Sequence, residues 1–84
     1  MDIRKHITTN PNICFGKPCF KGTRVMVYLV LELLAAGETP QQIIKNAYPA
    51  LTVNHIKAAL NYASIMAQQG HLIPLSNKSY AFSS

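Results

Sequence analysis

Acidic side chains are scarce in this sequence: Asp2, Glu32 and Glu38 are its three carboxylates in 84 residues. Paired-carboxylate catalysis and carboxylate-rich metal sites need Asp or Glu side chains placed close together. Asp2 stands at the start of the sequence, and the other two flank one end of a predicted helix. No nucleophile, base and orienting group can be assembled from the remaining residues, so we expect a protein that is not an enzyme.

Cysteine is scarcer still, with only Cys14 and Cys19. Two cysteines are too few for a disulfide scaffold, and a reducing cytosol would keep them as thiols. A zinc site needs four ligands, and His6 is the one further candidate that lies near them in sequence. We therefore expect free thiols and neither a metal nor another cofactor.

Long hydrophobic runs are also missing. The longest, Val25 to Leu31, is far shorter than the roughly 20 residues that a membrane-spanning helix requires. Residues 1–10 mix charged and polar side chains and contain no apolar segment of the kind that a secretory signal needs. We expect a cytoplasmic protein that has no membrane partner.

Basic and apolar residues are abundant by contrast. Eight Lys and Arg residues against three acids give a net charge of +5, and 49% of the residues are apolar. The charge favours nucleic acid or an acidic protein surface as a partner. A single domain this small has little interior in which to bury so many apolar side chains, so self-association or a partner protein is expected.

The pattern along the chain predicts a mainly α fold with a small N-terminal β-hairpin. Residues 1–24 would form a hairpin and loop arm, residues 25–70 a three-helix core, and residues 71–84 a C-terminal tail of one single domain. In the arm, two short β-type segments flank Gly16-Lys17, which suits a type II′ turn. That hairpin would make Cys14 and Cys19 cross-strand neighbours.

Local start and stop signals place the three helices. We predict helices from about Val25 to Ala36 before Gly37, from the N-cap Thr39 with Pro40 to just before Pro49, and from the N-cap Thr52 to about Gln69 before Gly70. The connection of about four residues between the second and third helices is typical of a helix-turn-helix.

The third helix has two different sides. We expect Val53, Ile56, Leu60, Ala63 and Met66 to face the core, and Asn54, Lys57, Asn61, Ser64 and Gln68 to face outward. Asn54, Lys57 and Asn61 are candidate DNA contacts, because amides match base edges and a lysine reaches phosphates. The alternative is an ordinary solvated face, since one lysine neutralises little phosphate charge.

A second candidate site is the basic cluster of Lys17, Lys21 and Arg24 on a glycine-bounded loop. Cations and exposed amides on such a loop can bind phosphates or carboxylates. One alternative is ordinary solvated charge. Another is that Arg24 ties the loop to the C-terminal carbonyls of a helix.

The first helix is predicted to be apolar on every side, because its residues Val25 to Leu31 are all apolar. Such a helix must be covered all round, and two short neighbours cannot do this. We therefore predict a homodimer, the commonest oligomer. The candidate interface residues are Val27, Val30, Leu31, Leu34, Leu72 and Ile73.

The most specific pattern consists of three ordered blocks: GKPCFKGTRV at 16–25, LLAAGETP at 33–40 and YPALT at 48–52. Together they resemble the DUF433 family, over about His6 to Ala63. Two residues depart from the family pattern. Phe15 stands where a second glycine usually precedes Gly-Lys-Pro, and Met26 stands where a proline commonly opens the first long helix.

This resemblance implies a homeodomain-like three-helix core and a role similar to that of a VapB-type antitoxin. The partner would be a PIN-like ribonuclease toxin, whose active site concentrates acidic metal ligands, and Arg24 or Lys21 would enter that site as a substitute cation. The pair would also repress its own operon by binding operator DNA. The alternative is a stand-alone helix-turn-helix transcriptional regulator without a toxin.

Overall fold

The computed structural model describes residues 1–70 and is mainly helical. Its elements are strands β1 (Ile7–Thr8) and β2 (Cys19–Phe20) and helices α1 (Val27–Ala35), α2 (Pro40–Asn46) and α3 (Val53–Gln68). The predicted class, three helices preceded by a small antiparallel hairpin, is confirmed. No helix among these residues is long and apolar enough to cross a lipid bilayer.

The hairpin differs from the predicted one in its first strand. β2 pairs antiparallel with β1, so that Phe20 lies opposite Ile7 and Cys19 lies opposite Thr8. The prediction that Gly16-Lys17 forms the hairpin turn and that Cys14 faces Cys19 across it is therefore wrong. Ile7 and Phe20 are both buried. Their pairing places two large apolar side chains in the core, whereas a hairpin turn at Gly16-Lys17 would not bring Ile7 opposite Phe20.

The segment before β2 is instead a single 3-10 turn with unusual backbone angles. Cys14, Phe15 and Gly16 have φ values of 55°, 57° and 77°. The left-handed region favours glycine, since a side chain there costs about 1–2 kcal/mol per residue. Phe15 is 92% exposed, so no burial of its ring offsets that cost.

The helix ends follow the predicted signals closely. α1 ends in a Schellman motif, in which the Gly37 amide donates to Leu34 and the Glu38 amide donates to Leu33. Gly37 has a φ of +96°, a conformation that few other residues adopt. The start of α1 falls at Val27, two residues after the predicted one.

α2 begins with a complete capping box. The Gln42 amide donates to Thr39 Oγ1 at 3.2 Å, and the Thr39 amide donates to Gln42 Oε1 at 2.8 Å. Pro40 occupies the first turn, where its missing N–H costs nothing. The predicted N-cap of α2 is confirmed.

The core lies where α1 and α2 meet α3 and the hairpin. Its residues are Ile7, Phe20, Val27, Val30, Ile43, Leu51, Ile56, Ala58 and Ala59. The buried side of α3 carries two alanines, and small side chains let neighbouring elements approach a helix closely. Val53 and Leu60, predicted to be in the core, are 42% and 50% exposed; the prediction is wrong for these two because α3 turns its Ala58–Ala59 side inward.

Candidate functional site

The basic residues Lys17, Lys21 and Arg24 lie on a loop that is anchored by β2 and that we name the cationic loop, residues 17–24. Cys19 and Phe20 in its centre are 1% and 0% exposed, whereas all three basic residues are exposed. The burial of the strand fixes the loop to the core. The sequence prediction that these cations share one loop is consistent with this arrangement.

Backbone hydrogen bonds hold the cationic loop on both sides. The Lys21 amide donates to the His6 carbonyl at 2.8 Å, the Phe20 amide to the Val25 carbonyl at 3.0 Å, and the Val27 amide to the Pro18 carbonyl at 3.0 Å. These three bonds tie the loop to His6 before it and to Val25 and the start of α1 after it. Its basic side chains therefore project from a fixed backbone.

The turn within the loop is closed by a threonine side chain. Thr23 Oγ1 donates to the Phe20 carbonyl at 2.8 Å and accepts from the Val25 amide at 3.0 Å. Gly22 beside it has a φ of +80°. Lys21 and Arg24 flank this closed turn, so their positions are set by residues that themselves carry no charge.

No carboxylate neutralises the cationic loop within residues 1–70. The one ion pair of that part of the chain joins Arg4 Nε and Asp2 Oδ1 at 3.3 Å. The hydrogen bonds from Arg4 hold the pKa of Asp2 below its usual value. Since this ion pair uses Asp2 and none of the described residues pairs with Lys17, Lys21 or Arg24, the loop presents uncompensated positive charge.

An open groove of about 330 Å³ adjoins the loop, and we name it the α1 groove. It is lined by Lys17, Pro18, Val27, Tyr28, Leu31 and Tyr62. Lys17 Nζ lies 5.2 Å from the centre of the Tyr28 ring, a cation–π contact at the rim. The site therefore combines an apolar concavity with a cation.

Sequence reasoning missed the two tyrosines of this groove. A tyrosine at a helical position of this kind ordinarily packs in the core with its hydroxyl at the rim, yet Tyr28 is 43% exposed. Tyr62 comes from α3 and reaches the same groove. Residues this far apart in the sequence share no local pattern, so the sequence contains no signal that predicts the groove.

The two cysteines are free thiols that support the loop. Cys14 Sγ donates to the Arg24 carbonyl at 3.3 Å. Burial, and after it a hydrogen bond with the Cys14 thiol, raises the pKa of Cys19. The Cys19 thiol thus stays protonated at neutral pH, and the Cys14 thiol links the 3-10 turn to the C-terminal end of the cationic loop.

The outer face of α3 is mixed rather than polar. Asn54 and Lys57 are exposed and Asn61 is half-buried. Val53 and Leu60 lie on the exposed side as well, with Lys57 between them at helical spacing. The face therefore offers one cation, two amides and two aliphatic side chains.

Comparison with known proteins places the chain in a family. Residues 7–63 match the profile of DUF433, described as a protein of unknown function. The chain belongs to the DUF433 family. A crystal structure of a DUF433 member from Anabaena variabilis ATCC 29413 superposes with a TM-score of 0.70 at 25% identity, over 80% of this chain and 65% of that one.

A curated relative is similar in sequence. Protein y4eO of Sinorhizobium fredii (strain NBRC 101917 / NGR234), described as uncharacterized, is 36% identical over 67 residues, which are 80% of this chain and 30% of the relative. The DUF433 chain thus spans under a third of y4eO and just under two thirds of the Anabaena protein. The DUF433 match contains the whole cationic loop and every residue of the α1 groove.

The predicted dimer contact of the DUF433 chain needs correction on α1. Val27 and Val30 are 1% and 0% exposed in the single chain, where they belong to its own core. They are covered already and are removed from the predicted interface. Leu31 and Leu34 are half-buried against the core, while Leu72 and Ile73 lie outside the described residues.

Proposed function

We propose that this DUF433 protein is an antitoxin-like binding module that covers a PIN-like ribonuclease with its cationic loop. The observation that carries the proposal is the exposure of Lys17, Lys21 and Arg24 on one hydrogen-bonded loop, without a carboxylate partner in residues 1–70. Complementary charge speeds encounter and sets the orientation of a complex. A nuclease site rich in acidic metal ligands has that complementary charge.

Arg24 is the residue best suited to enter such a site. A guanidinium group presents a planar fork of donors that matches a carboxylate, whereas a lysine acts as a point charge. Its backbone is held by the bond from Cys14 to its carbonyl, and its side chain is exposed. Arg24 would take the place of a catalytic cation, with Lys21 as the second charge.

The α1 groove favours a protein partner over nucleic acid. Apolar concavities that contain aromatic side chains are where protein interfaces concentrate their binding energy. Tyr28 and Leu31 lie beside Lys17 in this groove, so one partner surface with an apolar side chain near carboxylates would fill both parts of the site. A phosphate backbone would use the cation alone.

Co-expression with an acidic PIN-like nuclease, taken from a reading frame adjoining this one, tests the proposal. We expect a stable complex on size exclusion and loss of the nuclease's ribonuclease activity when the DUF433 protein is added in equimolar amount. Separate elution of the two proteins, with full ribonuclease activity in the mixture, would contradict the proposal.

Operator DNA binding is the second candidate function, whether with a toxin or as a stand-alone regulator. Exposed Asn54 and Lys57 at the start of α3, with Asn61 one turn further on, favour it. Because Lys57 is the one lysine on this face of α3, we expect weak DNA binding with a shallow dependence on salt. Sequence-specific binding by the isolated protein with a steep salt dependence would instead favour the stand-alone regulator.

A further inference from the structure

His55 occupies a capping position at the start of α3 that usually belongs to Glu or Gln. Its Nδ1 accepts a hydrogen bond from the Thr52 amide at 2.9 Å and lies 3.0 Å from Thr52 Oγ1. A ring nitrogen accepts a hydrogen bond only while it is unprotonated. The cap therefore requires a neutral His55 whose proton is on Nε2.

The same ring contacts the N-terminal arm. The ring centres of His55 and His6 are 5.6 Å apart in an edge-to-face arrangement, and the Phe20 ring lies 5.5 Å away. Burial first, and then the charge of His6, lower the pKa of His55 from its ordinary value of 6.5. His55 thus joins the start of α3 to His6 and to Phe20 of β2.

We propose that His55 and His6 form a pH-sensitive latch. The latch holds the part of the N-terminal arm around His6 against the first turn of α3, and it opens when His55 is protonated. A proton on Nδ1 removes the acceptor of the Thr52 amide. It also places positive charge beside His6 and at the positive end of the helix dipole. All three effects act against the latched state, and the latch does not depend on any partner protein.

The surrounding charges do not compensate a protonated His55. The charged residues of the elements packed against α3 are Asp2, Arg4 and Lys5 in the arm, Glu32 on α1 and Lys45 on α2, and α3 itself carries Lys57. None of them shifts the pKa of His55, and His6 alone does so by its charge. Within residues 1–70 no carboxylate pairs with either imidazole.

The direction of the pH dependence follows from the lowered pKa. A group that is harder to protonate in the folded state adds stability above its unfolded pKa. For His55 this contribution is complete above about pH 6.5 and is lost as the pH falls through the folded pKa. Mild acid should therefore release the arm from the start of α3 before it affects the rest of the core.

Thermal unfolding of the full chain between pH 8 and pH 5 tests the latch, with His55→Gln as the matched variant. Glutamine at this position can accept the Thr52 bond and does not titrate. We expect the Tm of the wild type to fall by about 4 °C or more relative to His55→Gln on acidification. His55→Ala cannot accept the Thr52 hydrogen bond, so its Tm should be lower than that of His55→Gln. Because neither alanine nor glutamine titrates, the difference between these two variants should be the same at each pH.

NMR of the wild-type histidines provides a measurement that needs no variant. We expect His55 to carry its proton on Nε2 at pH 8, and its titration midpoint to rise in His6→Gln. A proton on Nδ1 at pH 8 would overturn the proposal, as would equal pH dependence of the wild type and His55→Gln. An unchanged midpoint in His6→Gln would remove His6 from the latch.

Discussion

Two phenylalanines close together in the sequence have opposite environments, which makes them a matched pair. Phe20 is fully buried and Phe15 is 92% exposed. We expect Phe20→Ala to lower the free energy of unfolding by about 3–5 kcal/mol, and Phe15→Ala to change it by less than about 0.5 kcal/mol. Urea denaturation followed by circular dichroism measures both, and equal losses would contradict the position of Phe20 in the core.

The backbone at Phe15 leads to a second prediction at the scale of the residue. Its φ of 57° lies in the left-handed region, which favours glycine. Phe15→Gly should raise the free energy of unfolding by about 0.5–1 kcal/mol, because it relieves left-handed strain. Gly22→Ala, at a φ of +80° with open space around the Cβ position, should lower it by a similar amount. Destabilisation by Phe15→Gly in the same urea assay would show that the strain is absent.

At the scale of the element, the capping box of α2 is the clearest target. Thr39→Ala removes the acceptor of the Gln42 amide and should cost about 1 kcal/mol of stability. Gln41→Ala, an exposed position of the same helix, is the control and should be nearly neutral. The midpoints of urea unfolding compare the two, and a neutral Thr39→Ala would mean that the cap contributes nothing.

The helix ends could be predicted from the sequence because their signals are local. Thr39, Gly37 and Thr52 act within a few residues of themselves, and the structure places helix ends beside each of them. The first strand could not be predicted in this way. The pairing of Ile7 with Phe20 buries both side chains in the core, which depends on tertiary packing. The turn signal at Gly16-Lys17 depends only on neighbouring residues.

The same distinction explains the errors on α3 and at the site. Helical periodicity divided α3 into two sides, but it did not show that the side with Ala58 and Ala59, whose small side chains allow close approach, is buried while Val53 and Leu60 are exposed. The cations of the loop are close in sequence, so their clustering was predictable. The α1 groove brings together Lys17, Tyr28 and Tyr62 from three separate segments. No pattern in a single sequence predicts that such distant residues lie close together.

For the whole molecule, the homodimer stays a prediction that now depends on fewer residues of α1, since Val27 and Val30 are buried in the single chain. Tyr28 is exposed, and Leu31 and Leu34 are only half-buried, so a second copy would bury this part of α1. Sedimentation at micromolar concentration should show a dimer, and Leu34→Lys should shift it to monomer. Because Leu31 also lines the α1 groove, we expect an added nuclease to displace the second copy. A wild-type monomer would contradict the prediction.

The proposed function requires that the cationic loop binds an acidic nuclease surface. Calorimetric titration of the nuclease with Lys21→Glu/Arg24→Glu tests it, and Lys5→Glu/Lys45→Glu is the control with the same change in net charge on exposed residues elsewhere. Circular dichroism checks that both variants keep their helices.

We predict that the loop variant loses about tenfold or more in affinity, because like charges would meet at the interface, and that the control stays close to the wild type. Wild-type affinity in the loop variant, or an equal loss in the control, would show that the cationic loop is not the nuclease-binding surface.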